Sequence, residues 1–125
     1  TTFVGYFIGS PAMNLFESEV SSNDVVKINN TLVKTNTDLS SLKSKNIKLG
    51  IRSEFIRIAE NQKENILNVD VEKVEDFGNY KLLTAKMGNL TIKSKINRET
   101  EVPSSNVKLH IPAEKCCVYE NEKLI

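Results

Sequence analysis

Arg52 and Glu54 stand two residues apart around Ser53, directly after an apolar run from Ile47 to Ile51. A guanidinium, a small hydroxyl residue and a carboxylate at a strand end suit one task. They cap a short helical turn and hold each other by a charge-assisted hydrogen bond. The remaining chemistry-bearing side chains are sparse. His110 is the single imidazole, on the outward face of an alternating stretch, and no sequence neighbour orients it as a catalytic triad requires. Glu72, Glu75 and Asp76 form a small acidic cluster that reads as a solvated strand edge deterring aggregation, ahead of a cation site. Cys116 and Cys117 are adjacent. Neighbours on a strand point to opposite faces, so the expected arrangement is two free thiols, one inward and one near the surface. With one histidine there is no Cys/His metal set, and free thiols suit a reducing cytosol.

Phosphate chemistry is absent from the sequence. None of the five glycines opens a Gly-x-x-x-x-Gly-Lys-Ser/Thr loop. The chain is therefore expected not to be an enzyme, to hold no cofactor and to hydrolyse no ATP.

The elements that must position these residues are short. The 125 residues suffice for one domain with a modest core. Apolar content of 39% and charged content of 26% place the chain among soluble globular proteins. A net charge of +1 argues against strong attraction to nucleic acid or anionic lipid. No apolar run approaches the roughly 20 residues needed to cross a bilayer. The chain opens at Thr1 without Met and reads as part of something longer.

Residues Thr2 to Ile8 carry Phe3, Val4, Phe7 and Ile8 at helical spacing, with Gly9 and Pro11 as stop signals. This short helix is expected to dock, either on its own barrel or on another copy. Strands follow. Asn14 to Val20 is one. Val25 to Ile28 and Thr31 to Lys34 flank Asn29-Asn30, a dipeptide that tolerates the positive φ of a hairpin turn. Thr37 to Lys45 is a polar loop with one helical turn around Leu39 and Leu42. Leu67, Val69 and Val71 alternate, then the phase slips to Val74, the mark of a bulge or bend. Gly78-Asn79 and Gly88-Asn89 turn the chain around the strand Tyr80 to Met87, and Leu90, Ile92 and Ile96 continue in phase. Val107, Leu109 and Ile111 alternate, with Lys108 and His110 outward, and Cys116 to Tyr119 is the last strand. Many short strands with Gly/Asn turns predict an all-β, OB-fold-like barrel.

Leu49-Gly50-Ile51-Arg52-Ser53-Glu54-Phe55 resembles the Leu-Gly-Ile-Arg-Pro-Glu-His motif in the ATPase subunits of sugar-importing ABC transporters, the maltose and glycerol-phosphate type. Ser53 and Phe55 stand where that motif has Pro and His. Phe7-Ile8-Gly9-Ser10-Pro11-Ala12-Met13-Asn14 resembles the Phe-Ile-Gly-Ser-Pro-x-Met-Asn junction where the family leaves its nucleotide-binding domain. Val74 to Asn79 and Ile111 to Cys116 resemble later blocks in the same order.

The resemblance implies tandem OB-type barrels of the transport-associated (TOBE) architecture. Residues 1–12 would end the nucleotide-binding domain as a linker helix, with Phe3, Phe7 and Ile8 as its docking stripe, and residues 13–125 would form the regulatory barrel. It implies a regulatory and dimerisation role at the carboxyl end of an ATP-binding subunit that energises import of a sugar or related solute. ATP and magnesium would belong to the parent domain. The implied partners are a second copy of the subunit, the membrane subunits through the parent domain, and a regulatory protein. The implied place is the cytoplasm, peripheral to the inner face of the cell membrane. Arg52 and Glu54 would hold a turn between barrels and present it to a partner, with Gly50, Gly78 and Asn79 as further interface candidates. Loss of Arg52 is expected to cost on the order of 1–3 kcal/mol, the range for hydrogen bonds to charged groups. Two other readings stand beside this one. Related barrels sense small ligands such as oxyanions or sugars, but no Ser/Thr/Lys cluster on a Gly-rich turn forms an anion nest here. Nucleic-acid binding needs a basic groove with aromatic platforms, against 6% aromatics and balanced charge.

Overall fold

Buried backbone groups must find partners, and strands this short find them only by pairing with one another. The computed structural model describes residues 13–42, 46–121 and 123–125. The expected docking helix, with Phe3, Phe7 and Ile8, lies outside the described residues, as does the whole 1–12 unit.

Two antiparallel sheets result. The first holds β1 (Met13–Val20), β2 (Val25–Ile28), β3 (Thr31–Lys34), β4 (Asn46–Arg52), β10 (Cys117–Glu120) and β11 (Lys123–Leu124), in the order β11-β10-β4-β1-β2-β3. The second holds β5 (Arg57–Ile58), β6 (Ile66–Asp76), β7 (Tyr80–Met87), β8 (Leu90–Asn97) and β9 (Asn106–His110), in the order β5-β9-β6-β7-β8. The second sheet is thus an insertion between β4 and β10 of the first. The chain crosses between sheets twice, each time through a single turn of 3-10 helix, Ser53–Phe55 outward and Ala113–Lys115 back.

The predicted turns stand where their chemistry requires them. Asn29 adopts φ 53° and closes the β2–β3 hairpin, while Gly78 and Gly88 take φ 94° and 62° at the two ends of β7. The phase slip in β6 is a bulge between Val71 and Lys73 in its pairing with β7. Val74 then regains the register of Leu83, but its strand end runs past the core and leaves it 40% exposed. The Leu39–Leu42 turn forms with a hydrogen bond of 3.2 Å. Two short strands, β5 and β11, had no signal in the sequence.

One core joins the sheets. Phe16, Leu49, Ile51 and Val118 from the first meet Leu67, Leu83, Ile92 and Leu109 from the second, with Ile111 just past β9, all buried. Each side chain of this size contributes about 1.5–3 kcal/mol. A one-residue slip of any strand would turn that contribution outward, so the alternation fixes the register.

Core contact alone would strand the free edges of β3 and β8 where they meet the other sheet. Asparagine carboxamides cap both. Asn65 accepts from the Lys34 N–H at 2.8 Å, donates to the Lys34 carbonyl at 2.8 Å and donates again to the Ile111 carbonyl at 2.9 Å. Asn14, on β1, accepts from the Lys93 N–H at 2.8 Å and donates to the Lys93 carbonyl at 2.7 Å. Each carboxamide stands in for one peptide unit of a neighbouring strand. Asn29 adds a third tie, Nδ2 to the Met87 carbonyl at 3.0 Å.

The thiols divide as predicted. Cys116 is buried and its S–H donates to the Pro112 carbonyl at 3.4 Å, closing the second crossing turn. Cys117 is half-buried and pairs with Gly50. Burial pushes the Cys116 thiol from 9.0 up to about 12, helped by the neighbouring Cys117 and Glu114.

Asn65→Ala is expected to cost about 2–4 kcal/mol, from three lost hydrogen bonds and a non-glycine residue at φ 57°. Asn65→Gly removes the bonds but not the backbone fit, so its urea midpoint should lie between wild type and Asn65→Ala. Equal midpoints for all three would show that the carboxamide holds nothing. The thiols offer a second test. Above pH 9 the unfolded chain releases the Cys116 proton while the folded chain keeps it, so stability falls as pH rises from about 9 to about 12. Cys116→Ala should flatten that fall relative to wild type. At pH 8 a thiol reagent should modify Cys117 freely and Cys116 only on unfolding; equal labelling rates would overturn the assignment.

Candidate functional site

The first crossing turn gathers the predicted pair. β4 delivers Arg52 at its last position, with extended backbone (φ −72°, ψ 143°), and the 3-10 turn begins at Ser53. Ser53 is buried, and its carbonyl accepts from the Ile56 N–H at 3.3 Å. With the turn so closed, Arg52 Nε lies 3.1 Å from Glu54 Oε1, the pairing expected from the sequence. Arg52 is the N-cap residue of the turn and makes no side-chain cap hydrogen bond.

Both side chains are 39% accessible, so solvent screens the pair, and the pair by itself contributes about 1 kcal/mol or less.

The sequence did not reveal what lies beside this pair. Phe55, half-buried, carries the Lys115 ammonium over its ring at 4.5 Å. Lys115 belongs to the return crossing. The two turns that carry the chain between sheets therefore touch, and Arg52, Glu54, Phe55 and Lys115 present two cations, a carboxylate and an aromatic ring together. Below them, Ser94 Oγ on β8 donates to the Ile56 carbonyl and fixes the turn to the second sheet.

Gly50 has a steric role two residues upstream. A Cβ there would lie 2.9 Å from Tyr119 Cε2, so the tyrosine ring lies across the glycine on the outer face of the first sheet. Gly78 and Asn79 form the β6–β7 hairpin turn, a different part of the fold. Asp76 Oδ1 accepts from the Gly78 N–H at 2.8 Å, and the positive φ, not crowding, asks for glycine.

The other chemistry-bearing groups are tied down separately. Glu75 lies 3.6 Å from Lys73 and Asp76 3.8 Å from Arg98. Among the described residues no three His, Cys, Asp or Glu side chains converge as metal ligands would. His110 faces outward, but the expectation of an unsupported ring is corrected: Nδ1 donates to the Glu64 carbonyl at 3.1 Å. No helix among the described residues is long and apolar enough to cross a membrane.

Comparison with known proteins places this architecture. Residues 9–56 match the MalK OB fold domain, a segment that ends just past the first crossing turn. The sn-glycerol-3-phosphate import ATP-binding protein UgpC of Psychromonas ingrahamii is 41% identical over 86 residues, covering 69% of this chain and 22% of the relative. UgpC 2 of Agrobacterium fabrum is 31% identical over 122 residues, covering 90% and 30%, and UgpC of Salmonella typhimurium is 28% identical over 123, covering 96% and 34%. The chain thus spans about a third or less of the length of the curated relatives it matches. In fold it is similar to the cytoplasmic molybdate-binding protein ModG, with a TM-score of 0.74 at 13% identity over 89% of this chain and 96% of that one. These matches support an OB-fold (TOBE-type) domain of the kind carried by the ATP-binding subunits of import ABC transporters.

Proposed function

We propose that this chain is the carboxyl-terminal regulatory and dimerisation domain of an ABC ATP-binding subunit that drives import of a sugar or related solute. The match of residues 9–56 to the MalK OB fold domain carries the reading. The relatives are named for import of sn-glycerol-3-phosphate, which makes a phosphorylated polyol the first solute to test. The chain is the OB portion of such a subunit and not its catalytic part. ATP and magnesium belong to the parent nucleotide-binding domain, to which residues 1–12 would lead. A second copy of the subunit, the membrane subunits and a regulatory protein are the partners. The parent chain works in the cytoplasm, held to the inner face of the cell membrane by its transporter.

Within this reading the first crossing turn is the contact surface. Arg52, Glu54 and Phe55 sit on a turn that both sheets hold, between the end of β4 and the Ile56 carbonyl that Ser94 bonds.

A chimera tests the function. This chain replaces the matching segment of the Psychromonas ingrahamii relative, and solute-stimulated ATPase of the assembled transporter is measured. Turnover within about tenfold of the parent supports the reading; turnover no better than with an unrelated OB barrel in the same place overturns it. The chain by itself should give no ATP turnover above background. Arg52→Ala and Glu54→Ala then separate contact from folding. Each should shift Tm by a few degrees at most, matching a loss of about 1 kcal/mol or less. In the chimera each should lower solute-stimulated ATPase by about tenfold. Full activity in both variants would reduce the pair to a local turn clamp.

A further inference from the structure

Alternation leaves an apolar strip on the outer face of the first sheet. Phe16, Leu49, Ile51 and Val118 face the core, so Leu15, Gly50 and Cys117, opposite one another across β1, β4 and β10, face away from it. Tyr119 stands on the same face, two residues beyond Cys117. A Cβ at Gly50 would lie 2.9 Å from Tyr119 Cε2 and 3.7 Å from Leu15 Cδ1, so both side chains close over the glycine. Polar groups bound the strip. Arg52 stands opposite Met13 at one end, and Lys48 lies 3.6 Å from Glu17 at the other. A sheet face that met only water would carry polar side chains in between.

The strip is covered. A ring lying across a glycine keeps its upper face open unless something lies over it, yet Tyr119 is only 7% exposed. The chain outside the described residues comprises positions 1–12, 43–45 and 122. Lys43, Ser44, Lys45 and Glu122 are too polar to cover an apolar strip. The stretch 1–12 is not, because Phe3, Val4, Phe7 and Ile8 fall on one side at helical spacing.

We infer that residues 3–8 dock on this strip, their apolar side over Leu15, Cys117 and the Tyr119 ring. The dimensions agree. Three adjacent strands span about 10 Å, the length of a helix of seven residues at about 1.5 Å each. Gly9 to Ala12 join this stretch to Met13, the first residue of β1, which borders the strip. Four residues reach at most about 14 Å, enough to fold the stretch back over β1 and β4. A second copy of the chain fits less well, since it would compete with a tethered segment whose effective concentration is on the order of millimolar. The inference rests on this sheet face alone, so its failure would leave the proposed function standing.

The test uses the 125-residue chain with Cys116→Ala, which leaves Cys117 as its single native thiol. Val4→Cys and Ile8→Cys each place a thiol on the apolar side of the segment, and Gly5→Cys places one on the other side. Under mild oxidation of dilute protein, the faster of the first two should form an intrachain disulfide with Cys117 about tenfold or more ahead of Gly5→Cys, because docking brings only one side within bonding distance. Phe3→Ser combined with Phe7→Ser should lower Tm by about 5 °C or more. Phe77→Ser, at an exposed ring far from the strip, should move it by less than about 2 °C. Equal oxidation rates in the three cysteine variants, as a free tail would give, overturn the inference. So do disulfides that form between chains and rise with concentration, or a Tm that the double substitution leaves unchanged.

Discussion

Everything in this fold depends on joining two small sheets whose edges would otherwise meet with unpaired backbone. A buried, unsatisfied N–H or carbonyl costs about 1–3 kcal/mol, so two such groups on each of two strands would offset several core side chains. The carboxamides of Asn65 and Asn14 supply one peptide unit each at Lys34 and Lys93. Asparagine fits because its amide has the length and polarity of the backbone it replaces. At Asn65 it also accepts the left-handed φ of 57° that aims the side chain across.

This junction explains where the candidate site sits. A sheet inserted between β4 and β10 of another needs two crossings, and both start from neighbouring strands of the first sheet. The crossings are therefore close in space, although Phe55 and Lys115 are far apart in sequence. Any force on Arg52 or Glu54 reaches β4, which pairs with β1 and so with Asn14. It also reaches the Ile56 carbonyl, which β8 holds through Ser94. The turn is mechanically continuous with both sheets while its own polar pair stays in water.

Local chemistry made much of this legible in the sequence. Asn29-Asn30 marked a hairpin because asparagine tolerates positive φ, the slip after Val71 marked a bulge, and Arg52 and Glu54 could only meet across a tight turn. What the sequence hid is long-range. Asn65 looked like any polar residue before a strand, and nothing near it announces Lys34 or Ile111. β5 is two residues long, and its partners around His110 define it, not its own periodicity. Nothing near Lys115 in the sequence announces Phe55, over which the return crossing places it. Alternation assigned Val74 to the core side correctly in register, but could not show that the strand outruns the core.

The same alternation that needs Asn14 at Lys93 leaves Lys95 uncapped. Along β8 the outward-facing positions come every second residue, and the first sheet covers this edge only where β1 passes, at Lys93. Farther along, β5 comes near but is too short to build a ladder, since it is only Arg57–Ile58 before the chain turns away. An edge left open beside water would invite nonspecific pairing, and proteins commonly guard such edges with charge. Lys95 and Arg57 are such guards here.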